Sequence, residues 1–238
     1  MTSSLGSPHL HFETTGSTNL LAKQKADTGA AHGTTITADM QTQGRGRQGR
    51  SWVAPAGGAL LMSVVLRPLI AKYELASLAA AVAVAETCEE LADVSAQIKW
   101  PNDVWIDGRK VAGILIEARP EHDIECSWMV VGIGLNTGLR VEQLPAELRE
   151  SSTSLNLPAG TDALGPLLEK LDSQLHAERS ETIAAWRSRD ALRGRQIAWE
   201  RGEGVANGID DRGNLLVIDE SGGEQSLRAG EVHLAFQD

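Results

Sequence analysis

Five short segments carry the residue types that could do chemistry. The first is Gly44-Arg45-Gly46-Arg47-Gln48-Gly49-Arg50-Ser51-Trp52. Its glycines let backbone N–H groups approach an anion closely. Its three arginines offer forked donors suited to phosphate or carboxylate. No Gly-Lys-Ser/Thr follows, so a phosphate held here is not held by a P-loop; taken alone, the loop is equally a solvated RNA-binding type of segment. The second is Lys99-Trp100-Pro101-Asn102-Asp103. Pro101 stiffly separates two strands, and a carboxylate at the following strand start either holds Mg²⁺ through oxygen or closes an Asx turn. The third, Arg109-Lys110-Val111-Ala112-Gly113-Ile114-Leu115, sets an ammonium at the mouth of an apolar strand. There it meets a carboxylate or phosphate, or snorkels at a hairpin end. The fourth, Val130-Val131-Gly132-Ile133-Gly134-Leu135-Asn136, has glycines at alternate positions, which strip one strand face of side chains and leave room for a flat ligand or a bulge. The fifth, Ser17-Thr18-Asn19, is on its own an ordinary helix cap.

These segments need elements to position them. Residues 1–10 read as a loose tail and 11–15 as a short extended piece. Ser17 to Asn19 caps a helix that ends at Gly29. Thr34 to Asp39 is a β-branched strand, and Ala59 to Leu66 a buried one stopped by Pro68. Leu75 to Leu91 is Ala-rich and apolar nearly throughout, which predicts a central buried helix. Strands are predicted over 96–100, 103–106, 111–117 and 127–132, with Asp107-Gly108 as a hairpin turn. Thr161 caps a helix that buries Leu164, Leu167, Leu168, Leu171 and Leu175, and a second helical pattern covers 183–186. After residue 192 short strands alternate with glycines, as in a small open barrel of SH3-like size.

Composition narrows the function. The 238 residues are 42% hydrophobic and 23% charged, an ordinary globular balance. No run of eighteen apolar residues is present, so no membrane partner is expected, and no export signal is visible in the first twenty residues. A net charge of −10 argues against a general nucleic-acid coat. Cys88 and Cys126 make neither a disulfide framework nor a zinc site, which points to a reducing, cytoplasmic location. Only 6 of the 22 basic side chains are lysines, so a functional lysine is conspicuous.

In this order and spacing, the five segments, together with Gln41-Thr42-Gln43 before the arginine loop, resemble the bacterial biotin protein ligases. The resemblance covers about residues 11–190, more faintly the C-terminal module, and the arginine loop with Lys-Trp-Pro-Asn-Asp carries most of its specificity. It implies an α+β fold: a mixed-sheet catalytic domain, residues 1–192, with helices mainly on one side, and a C-terminal SH3-like β-barrel, residues 193–238. It implies ATP and biotin as substrates with Mg²⁺, formation of biotinyl-5′-AMP, and transfer of the biotinyl group to one lysine of a biotin carboxyl carrier protein.

By position the resemblance makes Lys110, Arg47 and Arg45 catalytic. It assigns biotin contacts to Ser17, Thr18, Asn19, Gln41, Gly44, Gly46, Trp52, Gly113, Gly132 and Gly134, shared with Arg45, Arg47 and Lys110. Nucleotide contacts fall to Arg45, Arg47, Arg50, Lys99, Asn102 and Asn136, and the metal to Asp103. Two departures stand out. About ten residues precede the first strand, too few for the helix-turn-helix domain of repressor relatives, so a monofunctional enzyme without a DNA partner is expected; a homodimer is compatible with the reading. Ala235 stands where many relatives have an arginine after Glu-Val-x-Leu. Lipoate ligases share the expected fold and lysine, and biotin-dependent against lipoate-dependent pyrophosphate exchange separates the two.

Overall fold

Side-chain alternation sorts the central sheet into one face that packs and one that binds. In the computed structural model, which describes residues 4–228 and 230–234, seven strands form this sheet. They are β1 (His9–Thr15), β2 (Thr35–Gln41), β3 (Ala59–Leu66), β4 (Ala96–Lys99), β5 (Asp103–Ile106), β6 (Arg109–Arg119) and β7 (Trp128–Asn136), in the order β1-β2-β3-β7-β6-β5-β4. Only β1 and β2 run parallel, joined through helix α1 (Thr18–Asp27); the other neighbours are antiparallel.

At the centre Ser63 lies opposite Gly132, and Gly132 opposite Leu115. One rung along, Leu61 faces Gly134 and Gly134 faces Gly113. Directly opposed residues share a face, so Gly113, Gly132 and Gly134 lie together on one face of β6 and β7, with Leu115 beside them. The alternate residues, Val64, Val131, Ile114 and Ile133, belong to the main core under α2 (Ala76–Ala92). α2 is a broad buried helix because nine of its first ten positions are alanine, valine or leucine. Beyond a short α3 (Ala146–Arg149) the chain forms α4 (Leu164–His176) and α5 (Arg179–Arg187), and α2 packs against both. α1 lies on the opposite face, where Ala22 and Ala26 meet Ile36, Val65 and Val130. The expected bias of helices to one side of a mixed sheet is therefore present. Leu171 is fully buried on α4. Leu171→Ala is expected to cost about 2–5 kcal/mol through lost transfer energy and a residual cavity, read as a lower urea midpoint at unchanged slope.

Three local expectations are corrected. Leu5 is buried and the Gly6 N–H donates to Gly33 O, so the predicted loose tail is anchored at residues 5 and 6 ahead of β1; its residues 1–3 lie outside the described residues. Asp162, not Thr161, supports the start of α4, its carboxylate accepting from the N–H groups of Leu164 and Gly165. β7 continues through both of its glycines to Asn136, because pairing on both sides holds them extended.

The larger correction concerns the C-terminus. Strands β8 (Gln196–Trp199), β9 (Gly202–Ile209), β10 (Leu215–Ile218), β11 (Glu224–Leu227) and β12 (Val232–Leu234) form an open sheet of order β11-β10-β9-β8-β12. The expected SH3-like barrel does not close. Closure would need β11 to pair with β12, but among the described residues β11 pairs only with β10 and β12 only with β8. Glu224, Gln225 and Ser226 are exposed, so β11 offers almost no apolar face to draw the edges together, and β12 is three residues long. The open sheet still shares its core with the large one: Ile197, Ala206, Leu215 and Val217 sit in the same apolar cluster as α2. The Trp100 indole N–H donates to Gly213 O at 3.0 Å across this seam.

Candidate active site

A cavity of about 380 Å³ opens above the glycine face. One end is a buried chain of neutral polar groups. Ser17 caps α1, accepting from Leu20 N–H, and this cap fixes Thr18 and Asn19 at the helix start, all three buried. The Thr18 N–H and hydroxyl both donate to Gln41 Oε1, at 2.7 and 3.0 Å. Ser63 Oγ lies 2.8 Å from Thr18 Oγ1 and 2.7 Å from Asn19 Oδ1, and its single proton serves one of them. The Asn19 amide nitrogen donates to Leu115 O at 3.3 Å and to Glu117 Oε2 at 3.1 Å.

The other end is cationic. Lys110 Nζ sits 2.7 Å from Asp103 Oδ1 and 5.6 Å from the centre of the Trp52 ring. Lys99, buried, lies 5.4 Å from the Trp105 ring. Burial pulls its ammonium below the ordinary value, against the charges of Asp103 and Glu231. The Arg47 guanidinium donates to Asn102 Oδ1 at 3.1 Å and to Gly230 O at 3.2 Å, while Arg50 pairs with Glu231. Asn102 is itself held by its amide N–H donating to Ile114 O at 2.8 Å. Burial also lowers the Arg47 pKa, and the charges of Asp103 and Glu231 work against that shift.

The arginine segment is a hairpin closed on itself. Trp52 N–H donates to Gly44 O at 3.0 Å and Gly46 N–H to Arg50 O at 2.7 Å, with Gln48 and Gly49 at positive φ turning the chain. A Cβ on Gly44 would fall 2.3 Å from Trp52 O, which is why glycine stands there. The hairpin lays the Trp52 ring over the bare sheet: a Cβ on Gly134 would come within 2.5 Å of it, and one on Gly113 within 3.1 Å.

Of the residues singled out in the sequence, Ser17, Thr18, Asn19, Gln41, Arg45, Gly46, Arg47, Arg50, Trp52, Lys99, Asn102, Asp103, Lys110, Gly113, Gly132 and Gly134 line this one cavity. Gly44 and Asn136 do not. Gly44 shapes the hairpin, and Asn136 is buried next to the cavity, its amide N–H donating to Thr153 O at 2.9 Å and its side-chain Oδ1 without a hydrogen-bond partner. Ala235 lies outside the described residues.

The arrangement can hold a small ring system with hydrogen-bonding edges at one end and an anion at the other. The profile of the biotin/lipoate A/B protein ligase family matches residues 12–136. The chain is 35% identical over 240 residues to the biotin–[acetyl-CoA-carboxylase] ligase of Mycobacterium tuberculosis, covering 92% of this chain and 85% of that one. The chain belongs to the biotin/lipoate A/B protein ligase family. It is also 40% identical over 158 residues to the bifunctional ligase/repressor BirA of Bacillus subtilis, covering 66% of this chain and 48% of that protein, so it spans about half the length of that relative. The biotin protein ligase of Aquifex aeolicus, solved in complex with biotin and ATP, superposes with a TM-score of 0.79 at 25% identity, over 95% of this chain and 99% of that one.

Several residues in and just behind the cavity carry little warning in the sequence. Ser63 is fully buried on β3. Its one signal is a lone hydroxyl inside Ala-Leu-Leu-Met-Ser-Val-Val-Leu. Glu117 ends the apolar run of β6, and its carboxylate gathers Lys23 at 2.6 Å and Arg45 at 3.6 Å. Burial pushes its carboxyl up, but the hydrogen bonds from Lys23 and Asn19 and the charges of Lys23 and Arg45 outweigh this and hold it below its ordinary value. Glu231 and His233 reach the cavity from the C-terminal sheet.

Proposed function

We propose that the protein activates biotin with ATP to biotinyl-5′-AMP, releasing pyrophosphate, and passes the biotinyl group to a lysine of a biotin carboxyl carrier protein. The observation that carries this reading is the polarity of the cavity. A neutral hydrogen-bonding chain, Gln41-Thr18-Ser63-Asn19, lies at one end of a glycine floor, and Lys110 with Arg47 lies at the other. A ureido ring fits the first end, since it both donates and accepts. A carboxylate fits the second. The experiment is pyrophosphate exchange into ATP: strong exchange with biotin and background exchange with lipoate support the proposal, and the reverse overturns it.

In this reading Lys110 holds the biotin carboxylate against the α-phosphate. Two anions must approach, so an ammonium between them stabilises the charge that builds as the carboxylate oxygen attacks phosphorus and pyrophosphate leaves. Asp103 keeps Lys110 placed until substrates arrive. One carboxylate beside an amide oxygen, Asp103 and Asn102, suits Mg²⁺, which takes one or two carboxylates and fills its shell from phosphates and water. The bound metal would neutralise phosphate charge. Among the described residues no cluster of three or more acidic, histidine or cysteine side chains could hold a metal unaided. Arg45, Arg50 and Lys99 supply further positive charge on the nucleotide side, while Asn136, buried outside the cavity lining, steadies the Thr153 segment instead of reaching the nucleotide.

The mixed anhydride reacts with any amine, so its retention matters. Arg47 borders the cavity on a hairpin rim, and its donors can pass from Asn102 and Gly230 to the adenylate phosphate. Losing one charged hydrogen bond of about 1.5–3 kcal/mol should speed adenylate escape roughly ten- to hundredfold. Arg47→Gly is therefore expected to label an unrelated lysine-rich protein more than the parent does. A variant that still makes adenylate but labels this bystander no more would remove the retaining role.

Residues 1–192 would then form the catalytic domain and 193–238 a domain that completes the rim through Gly230 and Glu231. Among the described residues no helix is long and apolar enough to cross a membrane. Both thiols are free, Cys126 in an exposed position, as suits a cytoplasmic enzyme. A net charge of −10 disfavours duplex DNA as a partner.

A further inference from the structure

We infer that Glu117 is a specificity-determining positioning residue, one that fixes the Asn19 amide so that its oxygen, and not its nitrogen, is presented to the ligand. The inference rests on the biotin reading above and names how the cavity tells a cyclic urea from a ring without N–H groups.

An asparagine amide can face either way, and its neighbours decide. Around Asn19 they are of two kinds. Glu117 Oε2 at 3.1 Å and Leu115 O at 3.3 Å are acceptors, so the –NH₂ must point to them. Ser63 Oγ at 2.7 Å can donate, so the oxygen points to it. The carboxylate is the stronger of the two acceptors, because a charged hydrogen bond to it outweighs a long contact to a backbone carbonyl. Lys23 at 2.6 Å and Arg45 at 3.6 Å keep that carboxylate ionised and in place. A protonated or amidated group at 117 could donate and would no longer select one orientation.

The selected orientation matters because of where the oxygen lies. A Cβ built on Gly132 would stand 1.8 Å from Asn19 Oδ1, against 2.9 Å from Nδ2. The oxygen thus occupies the space directly over the glycine floor of the cavity. It has two acceptor sites, and Ser63 fills at most one. What it offers a ligand is a buried acceptor, which asks for an N–H donor. A ureido ring has two. A dithiolane ring has none and would leave the oxygen desolvated and unpaired, which is how buried polar groups reject a near-isostere.

The test compares biotin with lipoate by calorimetry in the parent, Glu117→Gln and Glu117→Asp. In Glu117→Gln the side-chain amide can donate to Asn19 Oδ1 and compete with the ligand. Its biotin Kd is expected to rise about tenfold, the loss of one charge-assisted contact, while lipoate changes less than twofold. Glu117→Asp restores an acceptor-only group and should recover most of the preference. A purely structural role would weaken both acids, and ATP, alike. Equal losses for biotin and lipoate, or no loss for either, would overturn the inference. A measurement on the parent serves if the variants do not fold: the Asn19 Nδ2 protons should exchange slowly with solvent in the unliganded protein, and fast exchange would count against the contact. A parent that binds no biotin would instead tell against the proposed function; a parent that binds biotin, with Glu117→Gln unchanged in preference, would tell against Glu117 alone.

Discussion

Lys110→Ala is expected to reduce biotin-dependent pyrophosphate exchange by at least a hundred- to a thousandfold while the protein stays folded. Removing one donor aimed at developing charge commonly costs this much in rate, about 2.7–4 kcal/mol, and here the donor carries a full charge between two anions. The native fold has little stake in the side chain. Lys110 is one-third exposed, and its pair with Asp103 lies at a cavity mouth where water screens it, so its loss should cost under about 1 kcal/mol in stability. Its backbone, by contrast, bridges to the segment at Ser151 and Thr153, and alanine keeps both of those bonds. The two readouts therefore separate: exchange collapses and the melting curve barely moves. Near-normal exchange in a folded variant would remove Lys110 from the chemistry. Free biotin binding offers a second check. The ureido end of the cavity does not involve Lys110, so biotin affinity should fall far less than the rate.

Much of this site is legible in the amino-acid sequence, and the reason is local. Trp52, Arg47 and Gly44 sit in one hairpin, and Lys99 to Asp103 in one strand–turn–strand, so their spacing in sequence already encodes their spacing in space. Gly113, Gly132 and Gly134 are legible as a bare strand face because alternation along β7 strips one side only. Contacts closed by tertiary packing are not. Glu117 reads as the polar end of an apolar strand; nothing near it in sequence announces that Lys23, Asn19 and Arg45 converge there from α1 and the hairpin. Ser63 likewise needs the register of β3 on β7 to place it opposite Gly132. The C-terminal barrel fails for a related reason. Short strands between glycines predict strands, but closure depends on whether the two edge strands, β11 and β12, find each other, and that is a property of edges rather than of any one segment.

The glycine floor supplies the sharpest remaining test, because the three positions differ in what an added methyl group would strike. At Gly132 it would stand 1.8 Å from Asn19 Oδ1, inside any allowed contact. Asn19 cannot give way freely: its amide is held by Glu117, Leu115 O and Ser63, and it is buried at the start of α1. Gly132→Ala should therefore break that set of bonds, costing about 1–3 kcal/mol in stability for the polar groups left unpaired. It should weaken biotin more than a hundredfold, since it displaces a ligand contact and narrows the floor together. At Gly134 the methyl group would meet the Trp52 ring at 2.5 Å. That ring belongs to the hairpin and can lift, so Gly134→Ala should weaken biotin by an intermediate factor. At Gly113 the nearest atoms, the Lys110 stem and Trp52, stand at 3.1 Å and need give only a few tenths of an ångström. Gly113→Ala should cost threefold or less. None of the three glycines has a positive φ, so the backbone tolerates alanine at each and the steric difference alone sets the order. Calorimetric biotin affinities that follow Gly132, then Gly134, then Gly113 in decreasing loss would fit a ligand lying flat on this floor. Equal losses at all three, or the largest at Gly113, would mean that the ring system lies elsewhere in the cavity.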